Sequence, residues 1–201
     1  MTVSAGDVKT LRDRTGAGMM DCKSALAEAD GDLERATEIL RVKGQASAAK
    51  RAGKGTEEGV VASYIHANDK VGAMVEVQCE TDFVARNEDF KAFAYEVALH
   101  VAATSPLYVS ADEIPAEERQ AEQRVFEEKA REDGKPDEVV GKIVEGQLAK
   151  WAREVALLDQ EHVNADKHEG KTIEGLRQEL AAKTGENVRV ARFAYFRVGE
   201  G

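Results

Sequence analysis

Glu80 and Asp82 stand two residues apart in QCETDFVARN, residues 78 to 87, and on an extended chain that spacing puts both carboxylates on one face. Paired carboxylates are the machinery of general acid–base hydrolysis, but they work only beside buried titratable partners that push their proton affinities apart. Without a pocket of such partners the pairing by itself is weak evidence for catalysis. Phe83 and Val84 follow directly. Three readings of the segment stay open on local physics. Asp82 caps a helix or turn while Phe83 packs in a core, the carboxylates catalyse, or the segment inserts into a partner.

Other residue types capable of chemistry carry less. His162 and His168 in EHVNADKHEG lie near Glu161, Asp166 and Glu169, yet the segment has neither an HExxH helix nor a cysteine, and a polar loop is the expectation. Cys22 and Cys79 form no CxxC pair and read as buried, reduced thiols. No serine occupies a GxSxG elbow. The glycines at 53, 55 and 59 miss the dinucleotide spacing, and GKPDEVVGK places six residues between glycines where a phosphate-binding Walker loop needs four. Neither a nucleotide, a metal nor any other cofactor is expected.

The chain has 201 residues, 42% of them hydrophobic and 33% charged, which fits one sizeable domain or two small ones. Its net charge of -10, from 28 basic and 38 acidic residues, opposes unaided binding to a phosphate backbone. A protein partner is therefore expected rather than nucleic acid. The start, MTVSAGDVKTL, lacks a basic then apolar leader, and no run of 18 apolar residues occurs, so no membrane association and a cytoplasmic location are expected.

Positioning elements follow from periodicity. Residues 1–44 read as a compact module of three short helices, each closed by a glycine: Ser4 to Gly16, DCKSALAEAD to Gly31, and Asp32 to Gly44. Residues 45–59, with Lys50, Arg51 and Lys54, read as a helix fraying into a linker. From residue 60 the period changes to two. VVASYIH and VGAMVEVQC, separated by ANDK, predict a β-hairpin. A helix with Phe90, Phe93, Ala94, Val97 and Val101 on one stripe follows, then helices from Pro115 to Gly134, over 137–154 around Trp151, and from Thr172 to Gly185. The closing NVRVARFAYFRVGEG predicts a strand with Val188, Val190, Ala194, Phe196 and Val198 on one face, interrupted by Arg192. The class is α+β: the three-helix module, the linker, and a core over 60–201 built on an antiparallel sheet with helices.

RDRTGAGMMDCKSALAEADGDLERA, VEVQCETDFVARNEDF and GENVRVARFAYFRVGEG, in that order along essentially the whole chain, closely resemble elongation factor Ts. The resemblance implies a factor that releases GDP from the GTPase elongation factor Tu, so that GTP can rebind, without being an enzyme in the reaction-class sense. It also implies that the first module is ubiquitin-associated-like, that Thr81, Asp82, Phe83, Val84, Ala85, Arg86 and Asn87 bind Tu, and that within them the TDFV segment, with Asp82 and Phe83, approaches its nucleotide site. Met19 and Met20, with Leu11, Arg12 and Lys23 around them, map to the family's other contact, and His100 in ALHVAA to a third. Arg86 stands where many members carry lysine, which keeps the charge and changes its geometry. Longer members add a second core half, a coiled-coil insertion and a C-terminal helix. This chain resembles the short form, which leaves room for a homodimer that supplies what one short chain lacks.

Two other functions compete. An adaptor capturing protein partners through residues 1–44 leaves TDFVARN without a role. A metal-dependent hydrolase would use His162 and His168.

Overall fold

A computed structural model describes residues 3–51 and 53–200; Met1 and Thr2 of the helical module, Ala52 of the linker and Gly201 of the core lie outside the described residues. The fold is α+β, with three N-terminal helices followed by an antiparallel sheet and further helices. The chain forms two compact units, each assembled from separate stretches.

The first unit comprises Met1–Ala62, Glu76–Tyr95 and Gly175–Ala191. Helix α1 (Ala5–Thr15) begins where the Ser4 hydroxyl accepts the Asp7 N–H at 3.1 Å, and it ends on Gly16, whose left-handed φ of 67° lets its N–H reach the Arg12 carbonyl. Helix α2 (Met19–Glu28) and helix α3 (Leu33–Arg51) complete the bundle, whose core is Val8, Leu11, Cys22, Ala25, Leu26, Ala29, Ala36 and Leu40. The third helix does not stop at Gly44 as expected. One interior glycine costs only about 1 kcal/mol against alanine, and the good helix formers of QASAAK carry the helix on to Arg51. A close approach accounts for glycine at position 44: a Cβ there would lie 3.1 Å from the Ala182 methyl of helix α9 (Ile173–Thr184).

The sheet has the order β1-β2-β3, formed by β1 (Glu58–Ile65), β2 (Val71–Cys79) and β3 (Arg189–Arg197). Val75, Val77, Cys79, Val188 and Val190 are buried. Helix α5 (Glu88–Thr104) buries the expected stripe of Phe90, Phe93, Ala94, Val97 and Val101.

The second unit comprises Ser63–Val75, Glu96–Glu174 and Arg192–Gly201. Its helices α6 (Ala116–Glu132) and α7 (Asp137–Val155) pack through Ala130, Val140 and Val144, flanked by Phe126, Ile143 and Leu148. A short helix, α8 (Ala165–His168), follows. The apolar face expected along the last strand is covered only in its first part. Beyond Arg192, Ala194, Phe196 and Val198 are exposed, the last two at 67% and 73%. The charge at Arg192 marks the point where this face leaves the core.

Candidate partner-binding site at a strand-to-helix junction

Strand β2 ends at Cys79, and the chain then turns into a four-residue helix, α4 (Asp82–Ala85). Thr81 makes the turn. Its extended backbone, φ -131° and ψ 155°, and its side-chain oxygen accepting the Val84 N–H at 3.5 Å are those of an N-cap. Asn87 starts the next helix in the same way, its Oδ1 accepting the Asp89 N–H at 2.8 Å. Between these two caps Ala85 points inward and anchors the turn, while Phe83 is 81% exposed, the most exposed large apolar side chain among the described residues.

The two carboxylates that open this segment do not converge. Asp82 pairs with Arg86 on the surface at 2.9 Å, one helical turn away. Glu80 turns the other way: its Oε1 accepts the Asn187 N–H at 2.7 Å and its Oε2 the Lys54 ammonium at 3.0 Å. That amide, and then Lys54, hold the Glu80 carboxyl below its ordinary range. An acid–base pair is thus replaced by two separate ionic anchors. The Cys79 thiol donates to the Thr81 carbonyl at 3.2 Å, and burial, with the Glu186 charge next, pushes its pKa up to about 11.

Sequence spacing gave no hint of what grips this turn from afar. Glu186 accepts three hydrogen bonds: Oε2 takes the backbone N–H groups of Glu80 at 3.1 Å and Thr81 at 3.0 Å, and Oε1 takes the Thr81 hydroxyl at 2.6 Å. Next to it, Asn187 donates from Nδ2 to the Lys54 carbonyl at 3.0 Å. The only local sign was the glycine stop after helix α9, since Gly185, at φ 74°, turns the chain so that GEN faces the junction.

The other expected contact residues divide by exposure. Met19 and Met20, at 59% and 74%, open helix α2 with bare thioethers, and Arg12 and Lys23 are exposed as well. Leu11 lies in the core of the bundle. His100 is fully buried in the second unit, with Nδ1 accepting the Val163 N–H at 3.0 Å and Nε2 on Gln160 Oε1 at 2.8 Å. Both ring nitrogens are engaged, so in this conformation His100 offers nothing to a partner surface. Burial holds its pKa down to about 4.

EHVNADKHEG is no simple polar loop. His162 is buried, and its Nε2 lies 3.3 Å from Glu96 Oε2, which is also 3.4 Å from His168 Nε2, while Lys167 pairs with the other oxygen. Two histidines and a carboxylate form a donor set of the kind zinc accepts. Tautomer chemistry argues against such a centre. His162 Nδ1 accepts the Asn164 N–H at 3.1 Å, so in the neutral ring the proton sits on Nε2, the atom that would have to bind the metal. A metal-bound histidine ordinarily donates from its second nitrogen, whereas this one accepts. The cluster is better described as Glu96 neutralised by Lys167 and hydrogen-bonded by histidines. Despite opposing desolvation, Lys167 and then His168 hold its carboxyl below the ordinary range.

The family model described as Elongation factor TS matches residues 33–200. The chain is 50% identical to "Elongation factor Ts" of Geobacter sulfurreducens over 201 residues, all of this chain and 92% of that protein. It is 48% identical to the protein of the same name from Fervidobacterium nodosum over 200 residues, covering 100% of each, and to that from Caldanaerobacter subterraneus over 199 residues, 99% and 98% of the two chains. These full-length matches take in both the exposed methionines and the TDFVARN turn, and on them the chain belongs to the elongation factor Ts family.

Proposed function

We propose that this translation factor binds elongation factor Tu in its GDP form and promotes GDP release, with Phe83 as an inserted wedge and Asp82 beside it. The observation that carries this reading is an aromatic ring held out in water on a short helix capped at its start and anchored by a buried alanine. Exposing such a ring forgoes roughly 1.5–3 kcal/mol of burial, which is recovered on entering a partner. Aromatic rings are also typical interface hot spots. GDP in such GTPases is held by a phosphate-cradling loop and Mg²⁺, so a wedge that displaces the surrounding loops weakens both grips. Reciprocity then requires that GDP weaken binding of the factor by the same ratio. No bond of GDP is broken.

Met19 and Met20 supply the second contact, soft apolar side chains suited to an adaptable surface, with Arg12 and Lys23 at its edge. Residues 1–44 act in this reading as a docking module joined through 45–59 to the core over 60–201. The factor works in the cytoplasm, where Tu is. A homodimer has separate support. Within the second unit the antiparallel register set by Val198 N–H to the Lys70 carbonyl brings Phe196 opposite Gly72, over which Ile65 also lies, and Met74 shares that face. Ile65, Met74, Phe196 and Val198 are all exposed. Sedimentation that finds only monomers at micromolar concentrations removes the dimer.

The test of the main proposal is the dissociation rate of a fluorescent GDP from elongation factor Tu with and without this protein. Acceleration that saturates with concentration is expected. An unchanged rate, with Tu shown to exchange on its own, overturns the reading.

A further inference from the structure

We infer that Glu186 is a positioning residue for exchange, setting the direction in which Phe83 points; this rests on the wedge reading above. A four-residue helix makes too few internal hydrogen bonds to hold its own orientation. The direction of Phe83 is therefore inherited from Thr81, the residue that starts the helix. Thr81 is held on two sides. Its hydroxyl proton points at Glu186 Oε1, 2.6 Å away, which turns an oxygen lone pair toward the Val84 N–H. Its backbone N–H and that of Glu80 are fixed by Glu186 Oε2. One carboxylate thus fixes both the backbone and the rotamer of the capping residue.

The bonds are of the strong, charge-assisted kind, and the acceptor is itself anchored. Glu186 follows Gly185, whose positive φ ends helix α9, and it precedes Asn187, whose N–H is taken by Glu80 and whose amide reaches the Lys54 carbonyl. The turns at 80–81 and 185–187 therefore grip one another reciprocally: Glu186 receives the amides of Glu80 and Thr81, and Glu80 receives the amide of Asn187. Glu186 is more than 100 residues from the wedge along the chain and has no need to touch Tu. It acts by keeping Phe83 from sampling directions that miss the nucleotide site, the gain expected of preorganisation.

The experiment compares the wild type with Glu186→Gln, Glu186→Ala, Phe83→Ala and the Glu186→Ala/Phe83→Ala double variant in stimulated release of fluorescent GDP from Tu. Thermal melting and amide hydrogen exchange at Val84 are followed in each. Glu186→Ala is expected to slow stimulated release roughly tenfold and to speed exchange at Val84. Glu186→Gln keeps a carbonyl oxygen for the two backbone amides and is expected to recover most of the rate. Because Glu186 acts through Phe83, adding its loss to Phe83→Ala should slow release no further. Full release by folded Glu186→Ala, where Phe83→Ala is slow, overturns the positioning role alone. Additive losses in the double variant, or a slow Glu186→Ala with unchanged Val84 exchange, also overturn it, because they indicate a general effect on the fold. Should Glu186→Ala not fold, Glu186→Asp, which keeps the charge but draws the carboxylate back by one methylene from its three donors, takes its place in the cycle with Phe83→Ala and is judged by the same criterion. Normal release by Phe83→Ala removes the wedge, and the positioning role with it.

Discussion

Replacing Phe83 by alanine separates a core residue from a partner-directed one, because the structure sets the two costs far apart. A phenylalanine buries roughly 200 Å² when enclosed, and truncating it in a core costs about 3–5 kcal/mol. Phe83 is 81% exposed, so about a fifth of that area, some 40 Å², is withdrawn from water. At ~25 cal/mol per Å² the loss of stability is at most about 1 kcal/mol, too little to unfold a domain of ordinary stability. Hot-spot truncation in an interface costs about 2 kcal/mol or more, so stimulated release of fluorescent GDP should fall roughly 30-fold or more. Thermal melting and stopped-flow release on the same preparation read the two quantities independently. Wild-type release from a fully folded variant would refute the wedge. Loss of several kcal/mol of stability would refute the argument from exposure and return the ring to the core.

Replacing Met19 and Met20 together by alanine should leave melting nearly unchanged, within about 1 kcal/mol, and weaken binding to elongation factor Tu in a titration; unchanged affinity counts against the second contact. With its pKa near 11, Cys79 carries only about one thiolate in a thousand at pH 8, so native protein should alkylate there at least about 100-fold more slowly than unfolded protein by peptide mapping. Equal rates would show that the thiol is neither buried nor beside a charge. His100, depressed from 6.5 to about 4, stays neutral in the fold while the unfolded chain takes up a proton. Its stabilising contribution is full above pH 6.5 and is lost as pH falls toward 4, to a total of about 3 kcal/mol. Denaturant midpoints at pH 7 and pH 5 should drop less in His100→Gln than in the wild type, and parallel drops would refute the assignment.

Local pattern predicts what local physics controls. Glycine stops, a serine cap and helical spacing located the first two helices, and period-two alternation around ANDK located the hairpin, because those signals act within a few residues along the chain. Gly44 misled because a glycine reports a close approach as readily as a helix end, and the methyl of Ala182 that crowds it lies 138 positions away. The last strand shows another limit of local pattern. Alternation predicts that one face is apolar without saying that the protein itself covers it, and Phe196 and Val198 remain in water.

The candidate site divides along the same line. The residues of the turn that would meet a partner are contiguous, so resemblance along the chain could point to all seven positions from Thr81 to Asn87 at once. What orients them could not be read that way. Glu80 and Asp82 looked like a pair because they are neighbours in sequence, yet each carboxylate finds its partner elsewhere, Asp82 on Arg86 and Glu80 on Lys54 and the Asn187 amide. Glu186, a single acid in a chain of 38 acidic residues, becomes distinctive only when three donors converge on it. His162 shows the converse: a histidine that spacing assigns to a polar loop is buried, because a glutamate 66 residues earlier lies beside it. A buried or half-buried polar group must find a partner, but it is free to find one at any distance along the chain. In this protein the apolar positions follow period and the polar ones follow topology, and it is a polar contact of long range that holds the exposed ring in place.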